Sequence, residues 1–98
     1  MSHPLYDVLS FQIIAPYTLL VTFDDGTKQT INFEPVLYGE VYGHLKDIEL
    51  FNQVRLDEEI RTLIWPNGAD FDPWVLHEWP KLAKELSARA RSWELQKV

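Results

Sequence analysis

Apolar residues recur at every second position through Leu9, Phe11 and Ile13, then through Tyr17, Leu19, Val21 and Phe23, and again at Ile31 and Phe33. A period of two is expected of strands that turn one face to a core. Asp25-Gly26 lies between the second and third runs, and a tight hairpin there would hold both turn residues at positive φ. Ala15-Pro16 marks the other reversal. The pattern predicts an antiparallel three-stranded meander over about residues 7–33.

The pattern then changes. Gly39 and Gly43 punctuate a loop, and Leu45, Ile48 and Leu50-Phe51 suggest one or two helical turns. The stretch NQVRLDEEIRTLIWP reads as two short strands joined at Asp57-Glu58-Glu59, with a charged tip suited to solvent. Pro66-Asn67-Gly68 is a turn signal. Asp72-Pro73 looks like a helix start, because aspartate caps free N–H groups and proline suits the first helical position. A last helix begins at Trp79-Pro80 and runs to about residue 95, with Leu82, Ala83, Leu86, Ala90 and Trp93 on one stripe. The expected fold is α+β: meander, short helix, two-stranded hairpin, short helix and C-terminal amphipathic helix, with the helices on one face of the sheet. One domain is expected over residues 1–98, its core about 7–78 and its basic helix about 80–95.

Composition removes several functions. With no cysteine, disulfide scaffolds, thiolate zinc sites and cysteine nucleophiles are excluded. Neither a basic leader with an apolar run nor a stretch of membrane-helix length stands out, so the expectation is a cytoplasmic protein without membrane attachment. The formal charge is −6, unevenly spread. Residues 81–98 hold five cations (Lys81, Lys84, Arg89, Arg91, Lys97) and two acids, a balance of +3, which leaves −9 on the rest. An acidic body repels phosphate backbones, so no direct nucleic-acid binding is expected of it.

The densest chemistry lies in LIWPNGADFDPWVLHEWP, Leu63 to Pro80. Asp70, Asp72, His77 and Glu78 are the residue types a divalent metal or an acid–base reaction would use, but their spacing matches no established site. The favoured assignment is structural: Pro66, Gly68, Asp70, Asp72 and Pro73 as turn and cap residues, with the Asp70 side chain bonding back onto turn amides. His44 lies in a glycine-flanked loop without an evident nucleophile beside it. No catalytic residue, cofactor site or metal site is assigned. Trp65, Trp74, His77 and Trp79, together with Lys81, Lys84 and Arg91, form the candidate interaction surface, because large aromatic rings are enriched at binding hot spots and the basic helix could reach a partner. Trp65 is also the best suited of these to core packing, and Trp93 shares that expectation.

The meander YTLLVTFDDGTKQTINF, the middle segment YGHLKDIELFNQVRLD and LIWPNGADFDPWVL together resemble the bacterial family filed as domain of unknown function 2442. The resemblance runs from about Val8 to Leu76 and rests most on Trp65, Pro66, Gly68, Asp70 and Pro73. It implies a small α+β domain; some relatives carry a helix-turn-helix domain after it, and others look like antitoxin-side neighbours of small toxin-like proteins. It also implies a glycine in the hairpin turn, where this chain has Glu59-Ile60-Arg61. The expected function is a non-enzymatic protein-interaction module, antitoxin-like, with a small basic protein as partner and a homodimer as a further expectation. The alternative is a small-ligand or metal-dependent enzyme using Asp70, Asp72, His77 and Glu78.

Overall fold

The computed structural model describes residues 6–96, with side chains through Leu86 and at Ala88. Strands β1 (Val8–Ala15), β2 (Thr18–Phe23) and β3 (Lys28–Asn32) pair antiparallel in the order β1-β2-β3. The period of two holds in β2, where Leu19, Val21 and Phe23 are fully buried, and continues at Ile31 on β3. This inner face is the one the helices cover, so the architecture is the α+β arrangement expected.

Strand β1 departs from the simple alternation. Its register with β2 slips between Val8 and Ser10, so Leu9 is an extra residue and every side chain after it changes parity. Val8 is therefore the buried residue, while Leu9, expected in the core, is 46% exposed. A second slip at Ile14 leaves that residue 46% exposed. Ile13 shares the inner side with its pair partner Leu19, but at the sheet margin it stays 40% exposed.

The turn at Asp25-Gly26 also differs from expectation, because only Gly26 has positive φ. Gly26 N–H donates to the Phe23 carbonyl at 3.0 Å and Phe23 N–H to Thr27 at 2.9 Å, a three-residue loop with glycine at its left-handed position. The same loop recurs at Trp65–Ala69. There Gly68 N–H donates to Trp65, Trp65 N–H donates to Ala69, and Gly68 has φ 89°. In both loops the residue before glycine accepts a hydrogen bond from the amide two positions on: Asp25 from Thr27 and Asn67 from Ala69. The Asp70 side chain, expected to do this, does not; Asn67 stands where its amide oxygen can reach.

The second sheet pairs β4 (Arg55–Asp57) with β5 (Thr62–Ile64). Asp57 Oδ1 accepts from Glu59 and Ile60 N–H, and Arg61 takes a φ of 56°. The arginine thus adopts the conformation for which a glycine is expected in this turn. Its carbonyl accepts from Val8 N–H at 2.9 Å, joining the two sheets at the start of β1.

Between the sheets, 3-10 turns at Glu34–Val36 and Gly43–Lys46 alternate with helices α1 (Gly39–Tyr42) and α2 (Ile48–Phe51). Helix α3 (Pro73–His77) packs on β3, and α4 (Trp79–Gln96) packs on the Glu34–Val36 turn and α1. Ala83 and Leu86 of the expected α4 stripe pack against the core, whereas the side chains of Ala90 and Trp93 lie outside the described residues. Phe33 occupies the centre, with ring centroids of Phe51, Trp65, Phe71 and Trp79 5.2–5.9 Å away.

Candidate functional site

The Leu63–Pro80 run divides into a buried part and an anchoring part. Trp65 is 2% exposed and donates its indole N–H to the Phe51 carbonyl at 2.9 Å; Trp79 is 7% exposed beside Phe33 and Phe71. Both are almost wholly buried, packed by the rings of Phe33, Phe51 and Phe71, so they offer little surface to an interaction face. Trp74 is half-buried. Lys81 and Lys84 are exposed at the start of α4, and the side chain of Arg91 lies outside the described residues.

Asp72 accepts from Trp74 N–H at 2.8 Å and Pro73 opens the helix, so α3 starts where a capping aspartate and a proline direct it. Its five residues bring His77 against the β2–β3 hairpin. His77 Nε2 lies 2.8 Å from Asp25 Oδ2 and 3.2 Å from Thr27 Oγ1, while Nδ1 lies 2.7 Å from Glu78 Oε2. Gln29 donates its amide N–H to the His77 carbonyl at 2.7 Å. The Tyr6 ring stacks on the imidazole at 3.7 Å and Phe23 meets it edge-on at 5.0 Å. Lys81 completes the group with a 3.2 Å contact to Glu78 Oε1.

Electrostatics follow from the contacts. Burial pulls the His77 pKa down, but the bonds to Glu78 and Asp25 and the charges of both outweigh it, holding the imidazole above its ordinary 6.5. The Thr27 amide, followed by the His77 contact, holds Asp25 below its ordinary value against desolvation. His77 and then Lys81 do the same for Glu78.

Thr27, His77 and Glu78 superficially form a hydroxyl–imidazole–carboxylate line of the kind used for nucleophile activation. The geometry opposes that use. An imidazolium donating both N–H groups to carboxylates keeps no lone pair for the Thr27 proton, and its raised pKa favours that charged form. The cluster therefore clamps the junction of α3 and α4 onto the hairpin. Asp70 and Asp72 do not join it, so the four-residue set proposed for metal or acid–base work does not assemble. Asp70 instead offers its carbonyl to the Tyr42 hydroxyl at 2.8 Å, and Asp72 is held at its helix cap. Among the described residues no three His, Asp or Glu side chains are placed to share a metal ion, and none of their buried side-chain polar atoms lacks a partner.

The open chemistry lies at the outer edge of β1. Phe23 N–H bonds to Thr27 and Phe33 N–H to the Tyr17 carbonyl, so the odd-numbered residues of β2 turn their backbone groups toward β3. Phe11 and Ile13 pair with Val21 and Leu19 and must turn theirs away from β2. Past Val8, no described residue bonds to that outer edge. Leu9, Ile13 and Ile14 expose apolar surface along it, and β1 carries no charged side chain.

A family model described as Protein of unknown function (DUF2442) matches residues 8–81. The chain belongs to that family. The DUF2442 match takes in the whole of β1, the His77 clamp and both glycine loops, and ends at Lys81 within the first turn of α4. No curated protein and no solved structure matches the chain.

Asp25, Thr27 and Gln29 lie 48–52 residues from His77, and nothing in the local pattern of either segment announces their meeting. The β1 edge had a partial signal: the chain of net charge −6 carries no charge from Val8 to Phe23, a run that covers β2 as well as β1.

Proposed function

We propose that this DUF2442 protein is a non-enzymatic protein-interaction module of the cytoplasm, acting as the antitoxin-like member of a pair with a small basic protein. The observation that carries the reading is the open β1 edge, where the outward backbone groups of Phe11 and Ile13 lie beside exposed Leu9, Ile13 and Ile14. Edge strands are recognised by addition of another strand, whose main-chain hydrogen bonds supply affinity and whose side chains supply selectivity. The −9 balance of residues 1–80 favours encounter with a basic partner and accelerates it at low salt. The His77 clamp supports the same reading from the other direction, since its polar groups are spent on one another.

The test is co-expression with small basic proteins encoded beside its gene, followed by affinity capture and mass spectrometry. Stoichiometric recovery with wild type, and loss with a folded Ile13→Lys variant, is the expected result. Equal recovery with Ile13→Lys would remove the edge from the interaction, and recovery of no neighbour would remove the antitoxin-like role.

A further inference from the structure

We propose that β1 pairs with β1 of a second copy, antiparallel about a twofold axis at Gln12, joining two three-stranded meanders into one six-stranded sheet. The inference rests on the interaction-module reading and gives its open edge to a second copy, so that the basic neighbour meets the acidic bodies of the dimer and is lost with Ile13→Lys through loss of the dimer.

Three observations select a second copy. First, β1 holds no charged residue and no proline, although exposed edge strands of monomers are commonly guarded by both. Its bulges at Leu9 and Ile14 limit any added strand to the regular stretch between them, Ser10 to Ile13. Second, charge argues for a like strand. A basic foreign strand would find no acid on β1 to meet, whereas a second neutral strand brings no like charge to the seam, and the repulsion between the two acidic bodies is screened by salt.

Third, the register closes on itself. Only Phe11 and Ile13 direct backbone groups outward from the regular stretch. A twofold axis at Gln12 sets Phe11 opposite Ile13 of the second copy and Ile13 opposite its Phe11, so all four residues exchange N–H and C=O bonds. Moving the axis to Phe11 or to Ile13 drives one of these pairs into a bulge. Phe11 and Ile13 also lie on the inner side of the sheet, so the seam gains two aromatic–β-branched cross-strand pairs, a favoured combination. Such an edge-to-edge contact is small, and the dimer is expected to dissociate on dilution.

The chain lacks cysteine, so Gln12→Cys introduces a sole thiol at an exposed outer-face position. Across the axis Gln12 would face its copy as a non-hydrogen-bonded pair, with Cα atoms about 4.5 Å apart, within disulfide range. Ser10→Cys is the control, because its copy would lie four residues out of register. Sedimentation of wild type should show the mass doubling as concentration rises, and Ile13→Lys should remain monomeric with an unchanged melting curve. Under mild oxidation Gln12→Cys should form covalent dimer roughly tenfold faster than Ser10→Cys. A wild type that stays monomeric at every concentration, or equal oxidation rates for the two variants, would overturn the proposal. A monomer whose basic neighbour is still lost with Ile13→Lys would refute self-pairing and leave the interaction module standing, with a foreign strand at the edge.

Discussion

The two ends of the meander make opposite use of polar groups. At the β2–β3 hairpin, Asp25, Thr27, Gln29, His77 and Glu78 satisfy one another, and a tyrosine ring covers the imidazole. At the outer edge of β1, backbone donors and acceptors and three apolar side chains face outward with no described partner. Residue type alone would rank the two the other way, since histidine between carboxylates looks like chemistry and Phe11-Gln12-Ile13 does not. Saturation decides it: a group whose bonds are all made inside the fold has none left to offer a ligand.

That contrast can be broken or sharpened by substitution, with damage at the closed end reading out in stability and damage at the open end in association. The largest effect is expected for Trp65→Ala, which empties a site among Phe33, Phe51 and Phe71 and frees the Phe51 carbonyl; urea unfolding should show a loss of about 3–5 kcal/mol. A smaller and pH-dependent loss is expected for His77→Gln. The raised His77 pKa means that its stabilisation is fully present below the ordinary value of 6.5 and fades as pH rises through the higher folded value. The depressed Asp25 and Glu78 values act in the opposite sense, with stabilisation present above their ordinary values and lost as pH falls through the lowered ones. The stability gap between wild type and His77→Gln should therefore narrow as pH rises from 6.5 through the higher folded value, and a gap independent of pH would break the clamp.

Asp72→Ala removes the α3 cap and should cost about 1 kcal/mol, the amount typical of a lost N-cap. Arg61→Gly releases a non-glycine residue from φ 56° and should raise stability by up to about 1 kcal/mol, measurable as a small increase in Tm. Ile13→Lys should change stability by no more than about 0.5 kcal/mol while abolishing association. If instead it unfolds the protein, the β1 edge belongs to the core and the contrast fails.

Much of the fold was legible because periodicity and turn chemistry act locally. The β2 alternation, the Asp72-Pro73 helix start and the span of α4 all depend on neighbours a few residues away. Leu9 was misplaced because a single inserted residue inverts parity, and a bulge leaves no mark in an apolar run. Asp25-Gly26 predicts a two-residue turn with two left-handed residues, whereas the loop is one residue longer and uses only Gly26. The site was less legible for a different reason. His77 stood out by type, but what it does depends on Asp25 and Thr27, half the chain away, and pairing at that separation is set by packing. Tryptophans 65 and 79 drew attention as binding residues by the same chemistry that makes them good core residues, and only burial separates the two uses.

Amide hydrogen exchange at Phe11 and Ile13, followed across a dilution series, tests the contrast most directly. The N–H groups of these residues point away from β2, so a bond to a second copy is what would protect them. Protection that rises with protein concentration, while Leu19 and Val21 stay protected throughout, is the predicted result. Fast exchange of Phe11 and Ile13 at every concentration would contradict the account, and so would protection that dilution leaves unchanged.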